Sequence, residues 1–209
     1  MSGKTVIHVV DDDAAMRDSL AFLLDVNGFQ PKTYESANAF LSAAATGAAS
    51  CVISDIRMPG LSGIELVRAL KSRGEACPVI LITGHGDVAL AVEAMKAGAV
   101  DFIEKPFGAE AILDSVSIAL SKLDAPSAHD PTAAAAAEKL ALLSARERDV
   151  LEGLVEGRPN KSIAYDLTIS PRTVEIHRAR VMDKMGARSL SELVRLALAA
   201  GVRPNSQPD

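Results

Sequence analysis

Five short runs of β-branched and aliphatic residues all lie before residue 105: Val6-Ile7-His8-Val9-Val10, a more polar stretch from Phe29 to Glu35, Cys51-Val52-Ile53-Ser54, Val79-Ile80-Leu81-Ile82-Thr83 and Asp101-Phe102-Ile103-Glu104. Helix-length segments with apolar residues three or four apart separate them, such as Met16, Leu20, Leu23 and Leu24, or Ile64, Leu66, Val67 and Leu70, or Val88, Val92 and Met95. Strands that are apolar nearly throughout must be covered on both faces, and helical crossovers between strands running the same way supply that cover. The first half is therefore expected to be an α/β domain built on a doubly wound sheet of five parallel strands.

The alternation stops after the amphipathic segment Glu110 to Leu123. Asp124 to Pro131, with two prolines and small polar residues, reads as a linker. Thr132 is expected to N-cap the five-alanine run that follows, giving a helical spacer with little to pack. From Ser144 every segment reads as a short helix. Ser144 and Glu147 form a capping box for a helix to Gly157, Asn160 begins a second that runs to Leu167, Ser170-Pro171 opens a third that ends at Gly186, and Ser189 opens a fourth that stops at Gly201. Four helices with a three-residue turn between the second and third fit a helix-turn-helix unit. The expected division is a domain over 1–122, a partly helical linker over 123–142, an all-α domain over 143–203 and a flexible tail over 204–209.

Charge divides along the same line. The net charge of -5 counts by itself against a nucleic-acid partner, but residues 1–122 carry -5, residues 123–143 carry -2 and residues 144–209 carry +2. No apolar run approaches the roughly 18 residues of a membrane span. Met1-Ser2-Gly3-Lys4 leads into a strand rather than a signal segment, so a cytoplasmic location without a membrane partner is expected. Cys51 and Cys77 match no zinc spacing and are expected as reduced thiols.

In a doubly wound sheet the chemistry gathers beyond the carboxyl ends of the strands. The residues there are Asp11-Asp12-Asp13, Asp55, Thr83-Gly84 and Lys105-Pro106. Each alone has a plainer reading: Asp13 as the N-cap of the first helix, Thr83-Gly84 as a turn, Lys105-Pro106 as a solvated loop. Together they bring carboxylates, a hydroxyl and an ammonium to one edge. Asp11, Asp12 and Asp55 would repel one another, and an oxygen-ligated Mg²⁺ relieves that repulsion. Asp55, between metal and lysine, is placed to attack a phosphoryl group whose oxygens Lys105 neutralises and Thr83 hydrogen-bonds.

Val9 to Asp13, Asp55 to Gly63, Thr83 to Asp87 and Gly98 to Phe107 resemble the receiver domain of two-component response regulators, and the resemblance covers residues 4–122. It implies a flavodoxin-like fold and a phosphoryl group accepted on Asp55 from a histidine kinase. It also implies Mg²⁺ held by Asp11, Asp12, Asp55 and the carbonyl of Arg57, a cis peptide at Lys105-Pro106, and a switch made of Thr83 and Phe102. Arg57 and His85, two residues beyond Asp55 and Thr83, are candidates for setting how readily water attacks the phosphoryl group, with exposed polar loop residues as the plain alternative.

On a helical projection of about 100° per residue, Val174, His177, Val181 and Met185 share one face of the third C-terminal helix. Arg172, Glu175, Ile176, Ala179, Arg180 and Asp183 share the opposite one. One face packs and the other is free to read double-stranded DNA: Arg172 and Arg180 on phosphate or guanine edges, Glu175 on a cytosine amine, Ile176 and Ala179 on thymine methyls. Thr173 belongs to the same helix start, Lys161 and Ser162 at another suit a phosphate, and His177 falls on the packing side. Tyr165 is the only aromatic of this half, so no stacking platform for single strands is present. Leu143 to Leu151, Asn160 to Ala164 and Ile169 to His177 resemble the LuxR-type helix-turn-helix, in particular that of the FixJ group. The family often carries Asn where this chain has Arg180, which shifts that position toward backbone contact.

The two resemblances together imply a transcription activator, not an enzyme, that forms a homodimer on phosphorylation, binds promoter DNA and engages RNA polymerase, with nitrogen-fixation or oxygen-responsive genes as targets. Two rivals stand beside it. An aspartyl-phosphate hydrolase of the haloacid dehalogenase kind would carry a second carboxylate two residues after the nucleophile, where this chain has Arg57. A receiver used only for protein interaction, with the helical half as a docking module, would bind no DNA.

Overall fold

The order of the strands follows from their hydrophobicity, the three most apolar lying inside. The computed structural model describes residues 4–43, 50–75, 77–84, 88–124 and 131–202. Strands β1 (Val6–Val10), β2 (Gln30–Tyr34), β3 (Ser50–Asp55), β4 (Val79–Thr83) and β5 (Asp101–Glu104) form one sheet in the order β2-β1-β3-β4-β5, every pairing parallel. Helices α1 (Ala14–Val26), α2 (Ala37–Ala43), α3 (Gly63–Ser72), α4 (Val88–Ala97) and α5 (Ala109–Asp124) follow the strands one by one. The expected doubly wound parallel sheet is present, and polar β2 lies at its edge.

Side chains alternate between the faces of a strand, and the core obeys that period. Ile7, Val9, Cys51, Ile53, Ile80, Ile82 and Ile103 form one layer, closed by Leu20 and Leu24 of α1 and by Ile112, Val116 and Ala119 of α5. Val52 and Leu81 belong to the alternate set and are fully buried, as are Phe40 of α2 and Leu66 and Leu70 of α3. Burying each such side chain contributes about 1.5–3 kcal/mol. His8 packs edge-on against Phe40 and places Nδ1 3.2 Å from the Tyr34 hydroxyl. Burial, helped by the charge of Lys32, lowers its pKa and keeps the ring neutral. Cys51 is buried and Cys77 half-buried, and the two are not joined in a disulfide.

Two helix starts set the geometry of the carboxyl edge. Asp13 caps α1, its carboxylate accepting from Ala15 N at 2.9 Å. Ser62 and Glu65 make a capping box that starts α3 seven residues after β3 ends.

Among the described residues from 131 on, every element is a helix: α6 (Pro131–Ala141), α7 (Ala145–Val155), α8 (Asn160–Asp166), α9 (Pro171–Met185) and α10 (Leu190–Ala199). Helices α7 to α10 are the four expected. Helix α6 begins at Pro131 rather than after a Thr132 cap, because proline's fixed φ suits a first turn and its missing N–H is lost there without cost. Nor is α6 a bare spacer. It lies against α10 and α9 with Ala136 buried, the short alanine side chains allowing close approach. The linker residues 125–130 and the tail from 203 lie outside the described residues.

Thr168, in the turn between α8 and α9, has φ of 55°, a region that β-branched residues enter at a cost, and its side chain is exposed. Thr168→Asn is expected to raise stability by about 1 kcal/mol. A urea midpoint equal to or below that of the wild type would contradict this.

Glu147 is the buried acid of the capping box that starts α7. Its Oε2 accepts from Lys184 Nζ at 2.7 Å and from Ser144 N at 2.8 Å, and these two bonds, the lysine's first, hold its carboxyl down to about 2. A depressed folded pKa adds stability that is fully present above the unfolded value of about 4.3 and is lost as pH falls toward the folded value. The thermal midpoint of the wild type is therefore expected to fall more steeply than that of Glu147→Gln as pH is lowered from about 5 toward 2. Parallel curves for the two proteins would contradict the assignment.

Candidate functional site

Asp11 follows β1 directly, Asp55 ends β3, Thr83 ends β4 and Lys105 follows β5. Parallel pairing sets Asp55 against Ile82 and Thr83 against Glu104, so the four residues share one edge of the sheet. Lys105 Nζ donates to Asp55 Oδ1 at 2.7 Å and to Asp11 Oδ2 at 3.5 Å. Asp11, Asp55 and Thr83 are all buried, while the lysine side chain keeps a quarter of its surface in water. Burial raises the Asp11 carboxyl above its usual range, against the opposing pull of the Asp13 N–H and of Lys105. Burial also works against the Lys105 ammonium, but the hydrogen bond and charge of Asp55, joined by Asp11, prevail and raise its pKa. The lysine thus stays charged between two carboxylates.

Backbone bonds fix these positions. Ile56 N donates to Ile82 O at 2.9 Å and Lys105 N to Thr83 O at 2.7 Å, while Arg57 N donates to Asp55 Oδ2 at 2.6 Å. The Lys105–Pro106 peptide is cis. Arg17, which the sequence did not single out, donates to the carbonyl oxygens of Asp11 at 2.7 Å and Asp12 at 3.0 Å and so holds the acidic loop. Its place one turn inside α1 was visible, but not the direction in which its side chain turns.

Of the three carboxylates expected to share an ion, Asp11 and Asp55 come together around Lys105, whereas Asp12 is exposed. Among the described residues no three His, Cys, Asp or Glu side chains stand close enough to hold a metal by themselves. The single ammonium offsets only part of the charge of Asp11 and Asp55, and Asp12 is exposed. The donors are nonetheless of the kind a hard divalent cation takes, carboxylate and carbonyl oxygens, at a place where burial leaves Asp11 short of compensating charge. Thr83 and Phe102 are both buried, and Arg57 is exposed. His85 lies outside the described residues.

On α9, Val174, Val181 and Met185 are buried and His177 is half-buried, its Nδ1 enclosed without a partner. Arg172, Glu175, Ile176, Ala179 and Arg180 are exposed, as are Lys161 and Ser162 in the first turn of α8. Thr173 is half-buried, and its hydroxyl is 2.8 Å from that of the N-cap Ser170. The helix therefore turns the expected packing residues inward and leaves a stripe of mixed polar and small apolar groups in water.

Residues 7–117 match the family model of the response regulator receiver domain, and residues 141–197 that of the bacterial regulatory proteins of the luxR family. The transcriptional regulatory protein FixJ of Azorhizobium caulinodans is 53% identical over 198 residues, covering 95% of this chain and 94% of that protein. FixJ of Bradyrhizobium diazoefficiens is 52% identical over 202 residues, covering 97% and 98%. The chain belongs to the FixJ-type response regulators. A crystal structure of full-length FixJ from B. japonicum, 51% identical, aligns over 97% of this chain and all of that one with a TM-score of 0.57. As a response regulator, the chain joins a receiver to a LuxR-type DNA-binding domain, an organisation that implies a histidine kinase and DNA as partners. Among its described residues no helix is long and apolar enough to cross a membrane.

Proposed function

We propose that this response regulator takes a phosphoryl group on Asp55 and uses it to control how two copies of its helical half hold promoter DNA. The observation that most supports the acceptor role is the ammonium of Lys105 2.7 Å from the Asp55 carboxylate at the end of a central strand. An Asp55 oxygen forms a bond to phosphorus as the bond from phosphorus to the kinase imidazole breaks. Lys105 neutralises charge on the transferred oxygens and the Thr83 hydroxyl donates to one of them. Asp11, Asp12, Asp55 and the carbonyl of Arg57 would hold Mg²⁺, which supplies further positive charge at the same oxygens. Thr83 and Phe102 act as the switch, the one moving toward the phosphoryl group and the other adjusting on β5.

Arg172, Thr173, Glu175, Ile176, Ala179 and Arg180 read or border the DNA groove, with Lys161 and Ser162 on a phosphate. The net +2 of residues 144–209 is small for tight binding by one copy, so pairing of receivers is what makes two weak contacts act as one. Turning such an equilibrium from mostly off to mostly on takes about 5 kcal/mol of differential interaction, within reach of a dianion making several charge-assisted hydrogen bonds. RNA polymerase is the partner downstream. The likeness to FixJ favours nitrogen-fixation or oxygen-responsive promoters, a cytoplasmic site of action and no enzymatic turnover. The functional division follows the limits 1–122, 123–142, 143–203 and 204–209.

Retardation of genomic DNA fragments by the phosphorylated full-length protein tests this reading. Selective retardation supports the activator role, and none at any concentration favours the docking-module rival.

A further inference from the structure

Lys184 lies one turn beyond Arg180 on α9 and keeps 39% of its side chain in water, yet its ammonium is already engaged within the protein. Its Nζ turns back to donate to Leu142 O at 3.2 Å and to Glu147 Oε2 at 2.7 Å. That same carboxylate oxygen accepts from Ser144 N at 2.8 Å. One ammonium therefore ties the stretch just after α6, the start of α7 and the last turn of α9 at a single point. The surroundings reinforce the joint. Arg148 Nη2 donates to Leu140 O at 3.3 Å, and Lys139 crosses over Gly186, where its Nζ would lie 3.0 Å from a Cβ.

A lysine in a last turn is ordinarily explained by the partial negative charge of the helix end. That explanation does not require it to leave its own helix for a buried carboxylate and a carbonyl 37 and 42 residues away. Two of its three N–H groups are committed there, and drawing the whole ammonium away to a phosphate would leave Glu147 charged and buried without its counter-ion.

We propose that Lys184 is a positioning residue for DNA reading: it fixes the C-terminal half of α9 against residues 142–147, and so acts on DNA through the setting of α9 rather than by touching it. This rests on α9 being the DNA-reading helix. A shift of the chain where it enters the helical unit would be passed to α9 through this joint.

The test uses the full-length, phosphodonor-treated protein and two duplexes, a genomic fragment selected by the wild type and a random-sequence DNA of equal length. Lys184→Met and Glu147→Gln are each expected to reduce the preference for the selected fragment by about tenfold, a loss of the size of one specific contact. The log-log salt dependence should stay as in the wild type, the double variant should be no worse than either single one, and Lys184→Arg should recover most of the preference. If Lys184→Met instead flattens the salt slope by about one per protomer while Glu147→Gln changes nothing, the lysine touches a phosphate and the proposal is overturned. Full preference in both variants overturns it too. Should Lys184→Met fail to fold by circular dichroism, Glu147→Gln decides alone, its amide still able to accept from Ser144. A wild type that prefers no fragment defeats the DNA reading of α9 itself, an outcome distinct from the others.

Discussion

Asp55→Asn is expected to take up no phosphoryl group from a small-molecule phosphodonor and to show no phosphodonor-dependent change in DNA binding, while keeping its fold. The substitution is nearly isosteric, and the Asn oxygen can still accept from one of the two donors that hold Asp55 now, Lys105 Nζ or Arg57 N. What it removes is the anionic oxygen that must bond to phosphorus. Lys105 and Asp11 remain, but a protonated ammonium is no nucleophile, and Asp11 follows the neighbouring strand with its Oδ1 accepting from the Asp13 N–H. Intact mass after phosphodonor treatment reads the first effect and retardation of a DNA fragment the second. A full adduct on the Asn variant would move the acceptor role to another residue.

Gly63→Ala is expected to cost about 3 kcal/mol and to impair phosphoryl acceptance at the same time. Gly63 opens α3 and donates its N–H to Ile56 O at 3.0 Å, so its Cα lies directly beneath the chain that leaves Asp55. A Cβ there would run into the carbonyl oxygen of Asp55 and approach Leu81 Cδ2 to 2.9 Å and Ile56 Cα to 3.1 Å. Backbone and a fully buried leucine cannot step aside as an exposed side chain would. Either α3 moves out, exposing core, or the Asp55 loop moves and the 2.7 Å contact with Lys105 is lost. A denaturation midpoint and an adduct yield both equal to the wild type's would contradict this.

How far these features could be read in advance depends on where each residue stands relative to a periodic element. Asp11, Asp55, Thr83 and Lys105 each follow or end an apolar run, and a parallel sheet obliges such residues to share an edge, so their proximity was implied before any distance was known. The two faces of α9 were legible for a similar reason, since Val174, Val181 and Met185 repeat at helical spacing. Side-chain direction was not legible. Asp12 reads like Asp11 in the sequence, yet one is exposed and the other buried because the chain turns out of β1 between them. Helix α2 has seven residues, too few for a clear period. Ala136 of α6 carries no more signal than the alanines around it, and only the packing on α10 and α9 distinguishes it. The Lys184 and Glu147 pair spans 37 residues and joins two groups that each have an ordinary local explanation, a last-turn base and a capping-box acid.

The control of DNA binding by Asp55 is tested most directly by fluorescence anisotropy of a labelled promoter duplex titrated with the wild-type protein, with and without phosphodonor and Mg²⁺, over a series of salt concentrations. Phosphorylation is expected to raise affinity by about tenfold or more. The log-log salt slope of the phosphorylated dimer should be near about -7, for roughly four phosphate contacts per protomer. Equal affinity in both states, or a slope near zero, would contradict phosphorylation-controlled binding by the exposed face of α9.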